Sequence, residues 1–191
     1  MKKIVLFASG SGTNAENIIV YFNQKQTAKV IAVFSNNPNA KVLDRVKKHQ
    51  IPTVIFSKEE LNNGFVLQKI DDLHPDLIVL AGFLWKFPTS ILEKYPNKII
   101  NIHPALLPKY GGKGMYGMLV HTAVLKNKEF ETGITIHHVN EHYDEGNIIF
   151  QKSTTINDCQ TTEEIAVKVH ELEQKHFPIV IEEFLNLKSS I

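Results

Sequence analysis

Residues 4–14 read Ile-Val-Leu-Phe-Ala-Ser-Gly-Ser-Gly-Thr-Asn, and this segment indicates the fold class. Its first five residues form an unbroken apolar run, which is too short for a helix and predicts a strand buried on both faces. The Ser-Gly-Ser-Gly sequence at 9–12 ends that strand, and apolar residues then recur at helical spacing up to Gln26. A second short apolar run at 29–34 completes one β-α-β unit, the repeating element of a parallel sheet.

The same alternation continues along the chain. The further predicted elements are, in order, a helix at 40–48, a strand at 53–56, a helix at 58–73, strands at 77–81 and 98–102, a helix at 118–126, strands at 133–139 and 147–153, and a helix at 161–187 with Pro178 as the candidate position of a bend. No helix separates the last two strands, so we expect them to be antiparallel. The pattern predicts one α/β domain over residues 1–191, with a Rossmann-like, open, mostly parallel sheet, helices on both faces and an antiparallel final strand pair.

Composition narrows the classes of function. The 21 basic and 20 acidic residues give a formal net charge of +1. A protein with this charge has no overall electrostatic field that would attract nucleic acid or a membrane surface. The single cysteine excludes an internal disulfide, and the apolar run at the start of the chain is too short for a signal or membrane helix. We expect a cytoplasmic protein that acts on small molecules as a monomer or a homodimer, with no nucleic-acid or membrane partner.

Ligands of an open parallel sheet bind outside the carboxyl ends of its strands. The loops expected at that edge are 9–14, 36–38, 82–88, 101–117 and 140–146. In the first of them, Gly10 and Gly12 let backbone amides approach an anion at the start of a helix, which predicts a phosphate site. An equally good interpretation is a tight turn capped by Thr13 or Asn14. A dinucleotide site is disfavoured, because no acidic residue ends the second strand.

The sequence Asn101-Ile102-His103-Pro104 lies where the fifth strand should end. Alternation along a strand places Asn101 and His103 on the same side, where both polar groups can face one pocket. An amide donor and an imidazole can stabilise the oxyanion of an acyl-transfer intermediate, and the imidazole can pass a proton to a leaving nitrogen. The alternative is a turn-capping asparagine and an ordinary surface histidine.

Residues 137–146 are rich in ionisable groups. His137, His142 and Asp144 are candidate metal ligands, but no zinc-binding spacing is present, and we expect no metal. A carboxylate such as Asp144 beside an imidazole is expected to raise the pKa of that imidazole and keep it protonated near neutral pH. The alternative role of Asp144 is that of a turn residue before Gly146.

Two further segments are candidates for the walls of a site. The glycine-rich segment 106–117 is typical of a flap over a site, or of an ordinary mobile surface loop. Phe83, Trp85 and Phe87 follow the fourth strand and could form a wall for a flat heteroaromatic ligand, although such aromatics more often belong to a core.

Four motifs, taken in their order along the chain, indicate a protein family. They are Ser-Gly-Ser-Gly-Thr-Asn after the first strand, Leu-Ala-Gly-Phe after the fourth, Asn-Ile-His-Pro-Ala-Leu-Leu-Pro-Lys-Tyr after the fifth, and Tyr-Asp-Glu-Gly-Asn-Ile-Ile further on. In this order the chain resembles the phosphoribosylglycinamide formyltransferase family. The resemblance implies a formyltransferase fold and transfer of a formyl group from 10-formyltetrahydrofolate, as cosubstrate, to the amine of 5-phosphoribosylglycinamide in de novo purine biosynthesis.

The resemblance also assigns residues to roles. The implied catalytic set is Asn101, His103 and Asp144, with His103 protonated by the influence of Asp144 and donating to the departing folate nitrogen. The implied substrate residues are Gly12, Thr13 and Asn14 for the phosphate and Glu173 for the rest of the ribotide. The implied folate-binding residues are Leu84, Trp85, Lys86, Phe87, Asn101, Asn140, Glu141, His142, Tyr143 and Asp144.

The chain departs from the family pattern at three places. Residues 114–118 differ from the corresponding segment of many relatives, so the contacts of the flap cannot be transferred. An arginine that relatives use near the folate has no clear counterpart around Lys58-Glu59-Glu60, and the usual Asp-Gly-Gly is Asp144-Glu145-Gly146.

Three rival functions remain at the level of sequence. A formylfolate hydrolase and the formyltransferases for initiator tRNA or nucleotide sugars are similar, but usually carry a further domain that we do not expect here, and a tRNA-binding enzyme should be basic. The third rival is a non-catalytic phosphate-binding module.

Overall fold

The computed structural model describes residues 1–187, so positions 188–191 of the predicted domain lie outside the described residues. Its centre is a seven-stranded sheet in the order β3-β2-β1-β4-β5-β6-β7. The strands are β1 (Lys2–Phe7), β2 (Ala28–Ser35), β3 (Thr53–Ile55), β4 (Leu77–Leu80), β5 (Ile99–His103), β6 (Glu131–His138) and β7 (Ile148–Thr155). The helices are α1 (Thr13–Lys25), α2 (Lys41–Lys47), α3 (Lys58–Asn62), α4 (Phe65–Leu73), α5 (Thr89–Lys94), α6 (Met118–Lys126) and α7 (Thr162–Leu187).

The first strand is buried on both faces, as its apolar run predicts. Residues 4–7 are all fully buried, and their side chains alternate between two hydrophobic clusters. Ile4 and Leu6 belong to the cluster that includes apolar residues of α1 and α7, whereas Val5 and Phe7 belong to an aromatic cluster with Phe34 and Phe83. The predicted mostly parallel sheet with helices on both faces is therefore confirmed.

The order of the strands brings the loops of the site together. β1 pairs in parallel with β2 and β4, and β4 pairs in parallel with β5, so the carboxyl ends of β1, β4 and β5 lie side by side. The predicted antiparallel pairing of β6 with β7 is confirmed, and β6 is also antiparallel to β5. In that pairing Asn101 lies directly opposite His137, so their side chains share one face of the sheet.

Two local features differ from the predicted elements. The single helix predicted at 58–73 is two helices, because Gly64 adopts a left-handed conformation with φ +95 between α3 and α4. The short helix α5 was not predicted. The long helix predicted at 161–187 is confirmed as α7, which continues past Pro178 to Leu187. Among residues 1–187, no helix combines the length and the apolar character needed to cross a membrane.

Candidate active site

A cavity of about 840 Å³ opens at the carboxyl ends of β1, β4 and β5. The predicted loops at 9–14, 82–88, 101–117 and 140–146 all contribute to its wall, whereas residues 36–38 do not. Asn101 and His103 both line the cavity, as strand alternation predicts. His103 is only 3% exposed, so the alternative of an ordinary surface histidine is wrong.

The amide of Asn101 is oriented by a histidine on the neighbouring strand. Its Nδ2 atom lies 3.2 Å from Nε2 of His137, and Nδ1 of His137 lies 2.8 Å from the carbonyl oxygen of His138. A carbonyl oxygen only accepts, so Nδ1 of His137 carries a hydrogen, and in the ring form that has hydrogen on Nδ1 alone, Nε2 accepts from Asn101. One N–H of the Asn101 amide is thereby used, and the other remains to bind a ligand oxygen in the cavity.

His137 was a candidate metal ligand in the sequence, and its contacts are of another kind. Within residues 1–187, no group of three or more histidine, cysteine or carboxylate side chains is placed to hold a metal ion. His137 is 2% exposed and supports Asn101 instead. Sequence reasoning missed this role, since the contact depends on the pairing of β5 with β6.

Asp144 lies between two imidazoles. Its Oδ2 atom is 3.5 Å from Nδ1 of His103, and its Oδ1 atom is 3.6 Å from Nε2 of His137. The N–H of Gly112 donates to Oδ2 at 2.9 Å. Burial by itself would raise the pKa of Asp144, but the neighbouring imidazoles of His137 and His103 and the N–H of Gly112 together lower that pKa below its ordinary value. Asp144 is therefore an anion at neutral pH.

The pKa of His103 lies below its ordinary value. Burial lowers it most, and this effect outweighs the opposing influence of the Asp144 charge and of the hydrogen bond with the Tyr110 carbonyl. The expectation that Asp144 keeps His103 protonated near neutral pH is therefore wrong for the unliganded site. The direction of the Asp144 effect is as expected, but a sequence pattern gives no measure of the burial that opposes it.

The loop at 9–14 contains, directly before α1, a glycine that the structure requires. Gly12 precedes the first turn of α1 with φ +75, and a Cβ atom built on it would lie 2.5 Å from the Cβ atom of Val42. No side chain caps α1, so the interpretation of Thr13 or Asn14 as the cap is wrong. The first turn of a helix carries N–H groups without intrahelical partners, and Gly12, Thr13 and Asn14 at the start of α1 line the cavity.

The side chain of Asn14 joins the loop to α7. Its Nδ2 atom donates to Oε2 of Glu173 at 2.9 Å, and its Oδ1 atom accepts from Gln174 at 2.8 Å. Nδ1 of His170 also lies 3.1 Å from Oε2 of Glu173, and this contact raises the pKa of His170. Glu173 thus lines the cavity beside the predicted phosphate loop.

The residues predicted to bind folate lie in the wall of the same cavity, with one exception. Those that line it are Leu84, Trp85, Lys86, Phe87, Asn101, Asn140, His142, Tyr143 and Asp144. Glu141 is exposed and does not line it, because Asn140 Oδ1 accepts the N–H of His142 and leaves Glu141 at the tip of a tight turn. Phe87 is 2% exposed and packs against Phe7, so it contributes mainly to the core.

The glycine-rich segment supplies another side of the cavity. Residues 112–118 all line it, which is the position that the flap interpretation requires. His121, on α6, also lines it and is 5% exposed; burial lowers the pKa of this histidine. No sequence signal marked His121, because it stands in an otherwise apolar helix.

Comparison with known proteins agrees with this arrangement. The profile of the formyl transferase family matches residues 2–181. The chain is 35% identical to the phosphoribosylglycinamide formyltransferase of Bacillus subtilis over 99% of this chain and 97% of that protein, and 34% identical to that of Haemophilus influenzae over 100% of this chain and 92% of that protein.

Solved structures show the same similarity. The structure of the phosphoribosylglycinamide formyltransferase from Coxiella burnetii, in complex with CHES, superposes with a TM-score of 0.88 at 35% identity, covering 97% of this chain and 87% of that one. The enzyme of the same name from Bacillus halodurans superposes with a TM-score of 0.86 at 32% identity, covering 96% of this chain and 95% of that one. The chain belongs to the formyl transferase family, and its activity is the transfer of a formyl group.

Proposed function

We propose that the protein transfers the formyl group of 10-formyltetrahydrofolate to the amine of 5-phosphoribosylglycinamide, a step of de novo purine biosynthesis. The observation that carries this proposal is the convergence of Asn101, His103 and Asp144 on one cavity that also contains the 9–14 loop and Glu173. Such a cavity provides a hydrogen-bond donor for an oxyanion and an imidazole that can carry a proton. It also provides an anion site for a substrate that has both an amine and a phosphate.

The proton balance of the reaction suits a neutral His103. The amine loses one proton when it attacks the formyl carbon, and the folate nitrogen gains one when it leaves. A neutral imidazole can accept the first proton and deliver it to the leaving nitrogen, while the Asp144 anion stabilises the imidazolium in between. The remaining N–H of Asn101 donates to the formyl oxygen as it becomes an oxyanion. No covalent intermediate on the enzyme is required.

The two substrates occupy different parts of the cavity in this proposal. The ribotide phosphate binds the backbone of Gly12, Thr13 and Asn14, and Glu173 accepts hydrogen bonds from the rest of the ribotide. The flat pterin ring lies against residues 84–87, Asn140 and residues 142–144. Small molecules are thus the partners of the chain, which we propose acts in the cytoplasm as one catalytic domain over residues 1–191, as a monomer or a homodimer.

The negatively charged end of the folate has a candidate partner beside the main cavity. A second cavity of about 380 Å³ shares Trp85, Lys86, Phe87 and Tyr143 with the first. Its wall also includes Lys58 but no acidic residue. Both lysines are exposed. We propose that they bind the glutamate carboxylates, in place of the folate-contacting arginine of relatives that has no clear counterpart in this chain.

Changing both Lys58 and Lys86 to glutamine is expected to raise the KM for 10-formyltetrahydrofolate about 2- to 10-fold, with kcat unchanged, since exposed ion pairs are individually weak. Steady-state kinetics in low and high salt would measure this. Lys47→Gln, an exposed lysine of α2 away from both cavities, is the matched control. Equal KM values for the double variant and the wild type would exclude the assignment of the two lysines.

Changing Gly12 to alanine is expected to destabilise the protein by about 1–3 kcal/mol and to raise the KM for the ribotide, because the new Cβ overlaps Val42. Gly10→Ala is the matched control for stability, since nothing lies within 4 Å of a Cβ atom at that position. Thermal melting of the two variants, each with and without ribotide, makes the comparison. Equal stability of the two variants would mean that the loop has room for a side chain at Gly12.

The function itself is tested by following deformylation of 10-formyltetrahydrofolate with and without 5-phosphoribosylglycinamide. We expect deformylation only when the ribotide is present, with the formyl group recovered on its amine. Deformylation without ribotide would favour the hydrolase, and no reaction in either case would favour a phosphate-binding module.

A further inference from the structure

The backbone of Tyr110 holds one nitrogen of His103. The Tyr110 carbonyl oxygen lies 2.7 Å from Nε2 of His103, and a carbonyl oxygen can only accept. Nε2 therefore carries a hydrogen, whatever the charge of the ring. The other nitrogen, Nδ1, is the one that lies 3.5 Å from the Asp144 carboxylate. The proton that His103 gains and loses is then the proton on Nδ1.

Tyr110 is itself held by two residues that follow the flap. Its hydroxyl donates to Oε1 of Glu129 at 2.8 Å and accepts from Nδ2 of Asn127 at 2.9 Å. We call Tyr110, Asn127 and Glu129 the phenol clamp. The backbone of Tyr110 lies in the left-handed region with φ 58, which is uncommon for a residue with a side chain. The orientation of the Tyr110 carbonyl group depends on this backbone conformation. By holding the side chain, the phenol clamp therefore fixes the direction of the carbonyl oxygen.

The phenol clamp does not touch the cavity. None of its three residues contributes to the cavity wall, whereas the adjacent residues 112–118 do. The ring of Tyr110 is partly buried and packs against the hydrophobic cluster that includes Ile134 and Ile136. Any effect of the clamp on the reaction is therefore indirect: it passes through the Tyr110 carbonyl to His103, or through the adjoining segment, where the Gly112 N–H binds Asp144.

Other ionisable groups near His103 affect its pKa, but the hydrogen bond of Nε2 is with the Tyr110 carbonyl oxygen. The charges of Asp144 and Glu173 raise the pKa of His103, the charge of His137 lowers it, and His121 also interacts with it. The Tyr110 carbonyl is the hydrogen-bond partner of Nε2 within residues 1–187. The Tyr110 carbonyl is therefore the contact that distinguishes the two nitrogens of the His103 ring.

We propose that Tyr110 is a positioning residue that holds His103 in the form with hydrogen on Nε2. This leaves Nδ1 to take the proton from the attacking amine and return it to the leaving folate nitrogen, with Asp144 beside the transient charge. The proton transfer through Nδ1 rests on the proposed function. The position of the hydrogen on the His103 ring of the free protein does not.

The test is Tyr110→Phe, which keeps the packed ring and removes both hydrogen bonds of the hydroxyl. In ¹⁵N-histidine spectra of the free protein, assigned with His103→Gln, we expect the Nε2–H form in the wild type and a mixture of both forms in the variant. We also expect kcat to fall about 10-fold with KM for both substrates little changed, as for other residues that orient a catalytic group. The pH profile of kcat should shift as well.

Three variants of neighbouring residues separate positioning from a general structural effect. Glu129→Gln keeps a side-chain oxygen that accepts the hydrogen bond of the Tyr110 hydroxyl, so this variant should have the spectra and kcat of the wild type. Glu129→Ala should reproduce Tyr110→Phe. Lys109→Gln removes the other partner of Glu129, a contact of 3.1 Å at an exposed side chain, and should change nothing.

The proposal is overturned if wild-type His103 carries its hydrogen on Nδ1 at neutral pH, or if Tyr110→Phe and Glu129→Ala keep the wild-type spectra and kcat. The spectra need no substrate. A wild type with the expected spectra but without formyl transfer would contradict the proposed function and leave the clamp intact.

Discussion

Replacing His103 with alanine is expected to lower kcat for formyl transfer about 10²- to 10⁴-fold, the usual contribution of a positioned acid–base group. His103 is the buried imidazole of the cavity whose Nδ1 lies next to the Asp144 anion, and the reaction requires one proton to move from the amine to the folate nitrogen. Without the imidazole, this proton must move through water. Single-turnover measurement of formyl transfer at saturating substrates gives the effect on the chemical step.

The matched control is His74→Asn, because His74 is an exposed histidine outside the cavity, in a left-handed conformation that asparagine tolerates. We expect wild-type turnover for this variant and unchanged circular dichroism for both. Wild-type kcat in folded His103→Ala would remove His103 from the mechanism.

Replacing Asn101 with alanine is expected to lower kcat about 10²- to 10³-fold, which is the usual effect of losing one hydrogen-bond donor to the oxyanion. The structure leaves one N–H of the Asn101 amide free to face a ligand, because the other is directed to Nε2 of His137. The donor acts only when negative charge develops on the formyl oxygen, so the loss should appear in kcat more than in the KM for folate.

The control for this prediction is Asn23→Ala, an exposed asparagine on α1, for which both constants should match the wild type. A second variant, His137→Ala, removes the group that orients the amide and should lower kcat less than the loss of the amide itself. If Asn101→Ala raised KM and left kcat alone, the amide would bind folate without stabilising the oxyanion.

Local patterns were sufficient for the features that depend on near neighbours in the chain. The apolar run at 4–8 predicts a doubly buried strand because its period and length are local properties, and the alternation at Asn101 and His103 places two side chains in one cavity for the same reason. The break between α3 and α4 had a local signal in Asn63-Gly64, which the helical spacing around it obscured.

The contacts that complete the site depend on distant parts of the chain. His137 reaches Asn101 through the pairing of β5 with β6, and Asp144 reaches His103 from a loop that follows β6. The Tyr110 carbonyl has no side-chain signature at all. The lowered pKa of His103 results from burial by several elements, so the sequence predicted the influence of Asp144 and not the net direction.

The proposed mechanism is tested most directly by the rate at which labelled formyl moves from 10-formyltetrahydrofolate to 5-phosphoribosylglycinamide, measured for the wild type and for His103→Ala side by side. We expect ribotide-dependent transfer by the wild type and a loss of at least about 100-fold in the folded variant. Absence of transfer by the folded wild type, or equal transfer by the two proteins, would contradict the mechanism.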